Sequence, residues 1–195
     1  MILRFSRYLL SLIGLGTHGL AGKIGLPAES LVFCSGLLSR QGASAVALEA
    51  AVGSFTGTPV IVRQFIDRIV PIDAEDQTRI GLVNTHLGID AVCGCQVWES
   101  QTKFRVDLGP MKYQRFVGFL PTGDMLRPTY ALVRYMAGVE QEFDIGLCLR
   151  REEVPPCVLG WETPASPRLG WSTWIKAPGM AAKEDPSVTF QEACL

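Results

Sequence analysis

Apolar residues along this chain recur with two periods, and the switches between them mark its elements. Phe5, Leu9 and Leu12 fall at three- and four-residue steps with Arg4 and Arg7 on another face, which predicts an amphipathic helix. Four glycines between Gly14 and Gly22 interrupt it, and residues 31–38 begin a second helical stretch. Ser44 stands where a cap belongs, ahead of a helix with Ala45, Leu48, Val52 and Phe55 on one face and Gly57 and Pro59 at its end. Residues 60–65 are rich in β-formers and predict a strand. Pro71 opens a turn, and Asp73 with Asp76 predicts a short acidic-capped helix. Residues 89–98 and 104–108 then read as a hairpin, the second strand alternating Phe104, Val106 and Leu108 with Arg105 and Asp107. Gly109 and Pro110 break this run before a helix over residues 112–119, closed by Pro121. Leu126, Tyr130, Val133 and Ala137 line a further helix, stopped at Gly138. Phe143, Ile145, Leu147 and Leu149 alternate with polar positions as a half-buried strand. A proline-rich loop over 155–167 leads to a predicted strand at 169–175.

The pattern is that of an α+β chain, short helices with antiparallel β-hairpins and no Rossmann or barrel signature. It divides into a mainly helical segment (1–58), an α+β core with hairpins (59–177) and a loose C-terminal tail (178–195).

Composition adds one fact that the pattern does not. Hydrophobic residues make up 48 % of the 195 and charged residues 19 %, against roughly 25 % charged in an average soluble domain. Mean hydropathy is +0.23. Such a balance points to apolar surface that a partner covers. The net charge of −1 offers no basic face for nucleic acid. Arg4 and Arg7 ahead of the apolar run 8–15, with Ala21 following, imitate an export signal. That run is too short and glycine-broken to span a bilayer.

Candidate chemistry is sparse. Gly14 to Gly19 spells GxGxxG, but helix-like sequence precedes it where a strand is needed, so the glycines read as turn residues. His18 in that turn reads as polar surface. The six cysteines, Cys34, Cys93, Cys95, Cys148, Cys157 and Cys194, form neither CxxC pairs nor a disulfide framework, and read as reduced, buried thiols. Cys93 and Cys95 share a strand face but lack two further ligands for zinc. Cys93, His86 and Asp90 suggest a cysteine-dependent hydrolase, although all three lie within eight residues, whereas catalytic sets converge from separate elements. Trp171 and Trp174 stand three apart in the predicted strand, so they face opposite sides; either one of them is open to a partner or both belong to the core.

A set of short motifs in order carries more. Ser35-Gly-Leu-Leu-Ser-Arg, residues 60–65, Leu87-Gly-Ile-Asp-Ala-Val, Val97-Trp-Glu-Ser-Gln-Thr-Lys-Phe-Arg, Leu108-Gly-Pro, Phe119-Leu-Pro, Glu142-Phe-Asp and Arg168-Leu-Gly-Trp-Ser-Thr-Trp together resemble the TssG family, also called ImpH or VasB, a baseplate component of the type VI secretion machine. The resemblance implies a structural role without catalysis, cofactor or metal. It implies a wedge with TssF and TssE, docked on TssK around the VgrG hub, seeding the sheath in the cytoplasm at a membrane-docked baseplate. It makes Trp98, Phe104, Gly109, Pro110, Phe119, Leu120, Trp171 and Trp174 framework or interface positions. TssG proteins are typically longer, and this chain begins where their middle begins. Residues 4–22 match internal family sequence, which speaks against the export reading.

Overall fold

A computed structural model describes residues 4–17, 19–39, 42, 44–157, 167–174 and 184–191. The first part is helical: α1 (Arg4–Leu12), α2 (Leu20–Lys23), α3 (Ala28–Phe33) and α4 (Ser35–Leu38). Packing against α3 and α4 draws Leu10 inward with Ile13 and Leu15, so Phe5, Tyr8 and Leu12 are left exposed. The expected apolar face of α1 is therefore largely its outer face, with Leu9 half-buried. Gly14 and Gly19 hold φ values of 80° and 83° in the turns after α1. Only the one-turn α2 follows, so the glycines frame no strand–loop–helix cradle for a dinucleotide. His18 lies outside the described residues.

Helix α5 (Ala45–Thr56) forms as expected. The Ser44 hydroxyl oxygen accepts the Ala47 N–H at 3.3 Å, and Gly57 closes the helix in a left-handed conformation with φ of 59°. It leads into β1 (Val60–Arg63). The chain then leaves for a small outlying sheet of β2 (Arg68–Pro71) and β3 (Gln96–Glu99) before returning as β4 (Lys103–Met111). Helices α6 (Tyr113–Gly118) and α7 (Leu126–Ala137) carry it to β5 (Glu142–Leu149), and β6 (Ser187–Phe190) adds an edge. The main sheet runs β1-β4-β5-β6. β1 and β6 pair antiparallel with their neighbours, while β4 and β5 are parallel, joined by the helical crossover.

The α+β class stands, with five corrections. The hairpin of 89–98 with 104–108 does not form: β3 pairs with β2, Ile69 opposite Trp98, and β4 pairs with β1 and β5. Glu99 stands at the parting. Its carboxylate accepts the N–H groups of Gln101 and Thr102 at 2.6 and 2.8 Å, turning the chain before it enters the main sheet. Gly109 and Pro110 do not end the strand; they lie within β4, where the register shifts and the peptide between them is cis. Residues 73–76 form a turn, closed by the Asp76 N–H on the Asp73 carbonyl, and no helix. Residues 169–172 are also a turn, since Ser172 is buried and its N–H and hydroxyl tie back to Arg168. Within the expected tail, residues 187–190 are the edge strand β6, anchored by buried Phe190.

One face of the main sheet carries the core. Val106, Leu108, Ile145 and Leu147 are fully buried beneath α7, which contributes Leu126 and Val133. Phe143 stacks between Phe104 and Tyr130, with ring centroids 5.4 and 4.4 Å away. Alternation puts charge on the other face. There Asp144 is buried and pairs with Lys103 at 3.0 Å and Arg105 at 3.5 Å.

Candidate functional site

The feature that the fold does not explain by its own packing is the excursion between β1 and β4. Its stem, β2 and β3, is clamped to the body by charge. Arg68 Nε lies 2.7 Å from Glu99 Oε2, and a second guanidinium nitrogen pairs with Glu142 at the start of β5. The Thr102 hydroxyl donates to the same Glu99 oxygen at 2.6 Å. The Thr102 hydroxyl foremost, then Arg68, hold the Glu99 carboxyl down to about 2. Beyond the stem, residues 72–95 form a loop without a long regular element.

Internal polar bonds give this loop a defined shape. Asn84 Nδ2 donates to the Asp76 carbonyl at 2.8 Å, the Val92 N–H to the Thr78 hydroxyl at 2.9 Å, and the Ile72 N–H to the Cys95 carbonyl at 2.9 Å. Its polar groups serve the loop itself, and its apolar side chains face out. Ile80 is 98 % exposed, Leu87 93 % and Ile89 85 %, with Leu82 and the stem's Trp98 also exposed. A chain that turns large aliphatic residues outward on one internally bonded arm presents a surface suited to a partner. Loops of this length inside compact domains are uncommon, and are usually either functional or linkers; the internal bonds of this one favour the former.

The residues singled out from sequence separate by burial. Trp98 is 73 % exposed, on the arm. Phe104, Phe119 and Leu120 are buried in the core. Gly109, with φ of 118°, sits against the Cys148 carbonyl where a Cβ would overlap it, and Pro110 is exposed beside it. Trp174 packs on Phe116 with centroids 5.6 Å apart, and Trp171 meets Phe190 edge-on at 5.9 Å with the Arg168 guanidinium over it. Both tryptophans are thus half-buried clasps holding the turn 169–172 to the body. Sequence reasoning missed β2 and the arm's outward aliphatics. The available signal was Ile80, Leu82, Leu87 and Ile89 set aperiodically among turn-forming polar residues.

The cysteine readings need correction. Cys93 and Cys95 are exposed, at the base of the arm, not in the core; among the described residues Cys34 is the buried thiol, and Cys194 lies outside them. Burial pushes the Cys34 thiol up, away from reactivity. The imidazole of His86 bonds Asp90 at 3.0 Å, both on the arm's surface, and the geometry brings no thiol to it. The hydrolase alternative finds no support. Among the described residues no three His, Cys, Asp or Glu side chains gather as a metal site. No helix among them is long and apolar enough to cross a membrane.

Comparison with known proteins follows the same line. A family model described as type VI secretion, TssG, matches residues 3–176. Among solved structures, a chain of the type VI secretion TssK-TssF-TssG baseplate subcomplex, determined by cryo-electron microscopy, is similar in fold with a TM-score of 0.80. The two are 22 % identical, and the match covers 97 % of this chain and 79 % of that one. A chain of a type VI secretion baseplate complex is similar with a TM-score of 0.61 at 22 % identity, over 95 % of this chain and 51 % of that chain. This chain therefore spans about half the length of the second relative. No curated protein sequence matches it.

Proposed function

This chain belongs to the TssG family of type VI secretion, and we propose that it acts in the baseplate purely by assembly, as a wedge subunit bound to TssF and TssK. TssE, the VgrG hub and the sheath are the further neighbours this role implies, at a cytoplasmic, membrane-docked baseplate. The observation that carries the reading is the internally bonded arm with outward Ile80, Leu82, Leu87, Ile89 and Trp98. Covering a large apolar side chain contributes about 1.5–3 kcal/mol gross, whereas an exposed ion pair contributes about 0–1 kcal/mol. The aliphatic tip and Trp98 are accordingly the anchors, and the charges around them orient the contact. The outer stripe of α1, Phe5, Tyr8 and Leu12, offers a second apolar patch of helical spacing. That the two relatives of matching fold come from baseplate assemblies supports the same role.

The test is co-expression with TssF and TssK from the same source, followed by size-exclusion chromatography. Co-elution of the three is the expected outcome. A folded chain that elutes alone while TssF and TssK remain soluble would remove the assembly role.

A further inference from the structure

One end of the main sheet gathers a groove that the arm does not reach. Because β1 runs antiparallel to β4 and β4 parallel to β5, the start of β1 and the ends of β4 and β5 meet, with Val60 opposite Leu108 and Met111 opposite Leu149. This brings Gly57, Pro59, Pro110, Lys112, Arg115 and Arg150 around one cavity of about 360 Å³. Its apolar part is made by exposed Pro59 and Pro110, which have no N–H to offer, and by buried Met111, with Thr58 and Gln114 also in the lining.

Its rim is cationic. Lys112, Arg115 and Arg150 line it with no carboxylate among the described lining residues, on a chain whose net charge is −1. The acids beside the rim are held chiefly by other groups: Asp185 accepts the Arg151 N–H at 2.9 Å. Glu153 accepts the Tyr113 N–H at 2.8 Å, and Glu152 holds Arg151 at 3.1 Å while also facing Arg150. Arg115 is fixed in place by donating to the Thr56 carbonyl at the end of α5, over Gly57. A guanidinium has five N–H donors, so others of Arg115 remain for an acceptor.

We propose that this groove docks an acidic segment of a neighbouring protein chain, with carboxylates on Lys112, Arg115 and Arg150 and an apolar side chain between them against Pro59 and Pro110. The proposal rests on the assembly role above. A bare phosphate would use the rim and leave the apolar part open. An acidic peptide satisfies both, because carboxylates pair with guanidinium groups in bidentate fashion while the intervening side chain buries. The groove is built from strand ends and the Gly57-capped end of α5, and Arg115 is tied there to the Thr56 carbonyl, so that cation needs little reorganisation on binding.

The experiment places a photo-crosslinking amino acid at Gln114, on the groove wall, and separately at Trp98 on the arm, in the complex co-expressed with TssF and TssK. The expected result is a Gln114 adduct to a segment rich in Asp and Glu. In a Lys112→Glu/Arg150→Glu variant its yield falls at least about tenfold, with the Trp98 adduct unchanged. An adduct to a neutral or basic segment, to lipid or to nucleic acid would overturn the proposal, as would a yield indifferent to the charge reversal. A Trp98 adduct without any from Gln114 would overturn it and leave the assembly role standing. Loss of both would remove the two together. Arg115 is left intact in these variants because it also supports α5.

Discussion

At the scale of single residues, two carboxylates hold the charged side of the molecule, by different physics. Asp144 is buried between Lys103 and Arg105, so its loss strands the Lys103 ammonium, itself mostly covered, without a counter-charge. Asp144→Ala should lower stability by about 3 kcal/mol, read by urea unfolding. A mutant as stable as the parent would show that the pair is hydrated and dispensable. Glu99 is a matter of pH. With its carboxyl held at about 2, below the ordinary 4.5, its contribution is complete above the ordinary value. It is lost as pH falls from there through about 2. Acid should therefore loosen the arm's stem before the body. Hydrogen exchange at the amides of β2 and β3, compared between the parent and Glu99→Gln, should show that acid response in the parent alone.

At the scale of elements, backbone positions decide more than side-chain volume. Ser44→Ala removes the one acceptor capping α5 and should cost about 1 kcal/mol in thermal or chemical unfolding. Gly109→Ala is more severe. Its φ of 118° is open to glycine, and an added Cβ would overlap the Cys148 carbonyl oxygen of the neighbouring β5 backbone. A cost of at least about 2 kcal/mol is expected, with the β4–β5 ladder losing exchange protection near Met111. Equal stability of Gly109→Ala would mean that β4 can shift its register there at no cost.

At the scale of the whole molecule, the prediction concerns a surface that stability does not report. Replacing Ile80, Leu82, Leu87 and Ile89 together by Ser removes apolar area from an exposed arm, so the unfolding free energy should stay within about 0.5 kcal/mol per site. Co-elution with TssF and TssK should be lost if the arm is the anchor. The opposite pattern, a destabilised chain that still assembles, would place those residues in the fold and the interface elsewhere.

Much of this was legible before the fold. Local rules needed only neighbours in sequence: Ser44 and Gly57 bounded α5, the alternation of Phe104, Val106 and Leu108 gave β4 its buried face, and Gly138 ended α7. The motifs from Ser35 to Trp174 carried the family resemblance, which the match over residues 3–176 bears out. Pairing was not legible, because adjacent strands look like a hairpin until the carboxylate of Glu99 turns one away, and β2 and β6, at four residues each, are too short for their alternation to stand out. Nor was the direction of an apolar face. Phe5 and Leu12 on α1 point outward, and the thiols of Cys93 and Cys95 are exposed, because long-range packing chooses which side of each element is covered. Sequence determined the longer helices, β4 and β5, and the family; the tertiary structure alone decided the short strands β2 and β6, which apolar residues make the core and which remain for a partner, since burial is a property of what packs against a residue and not of the residue.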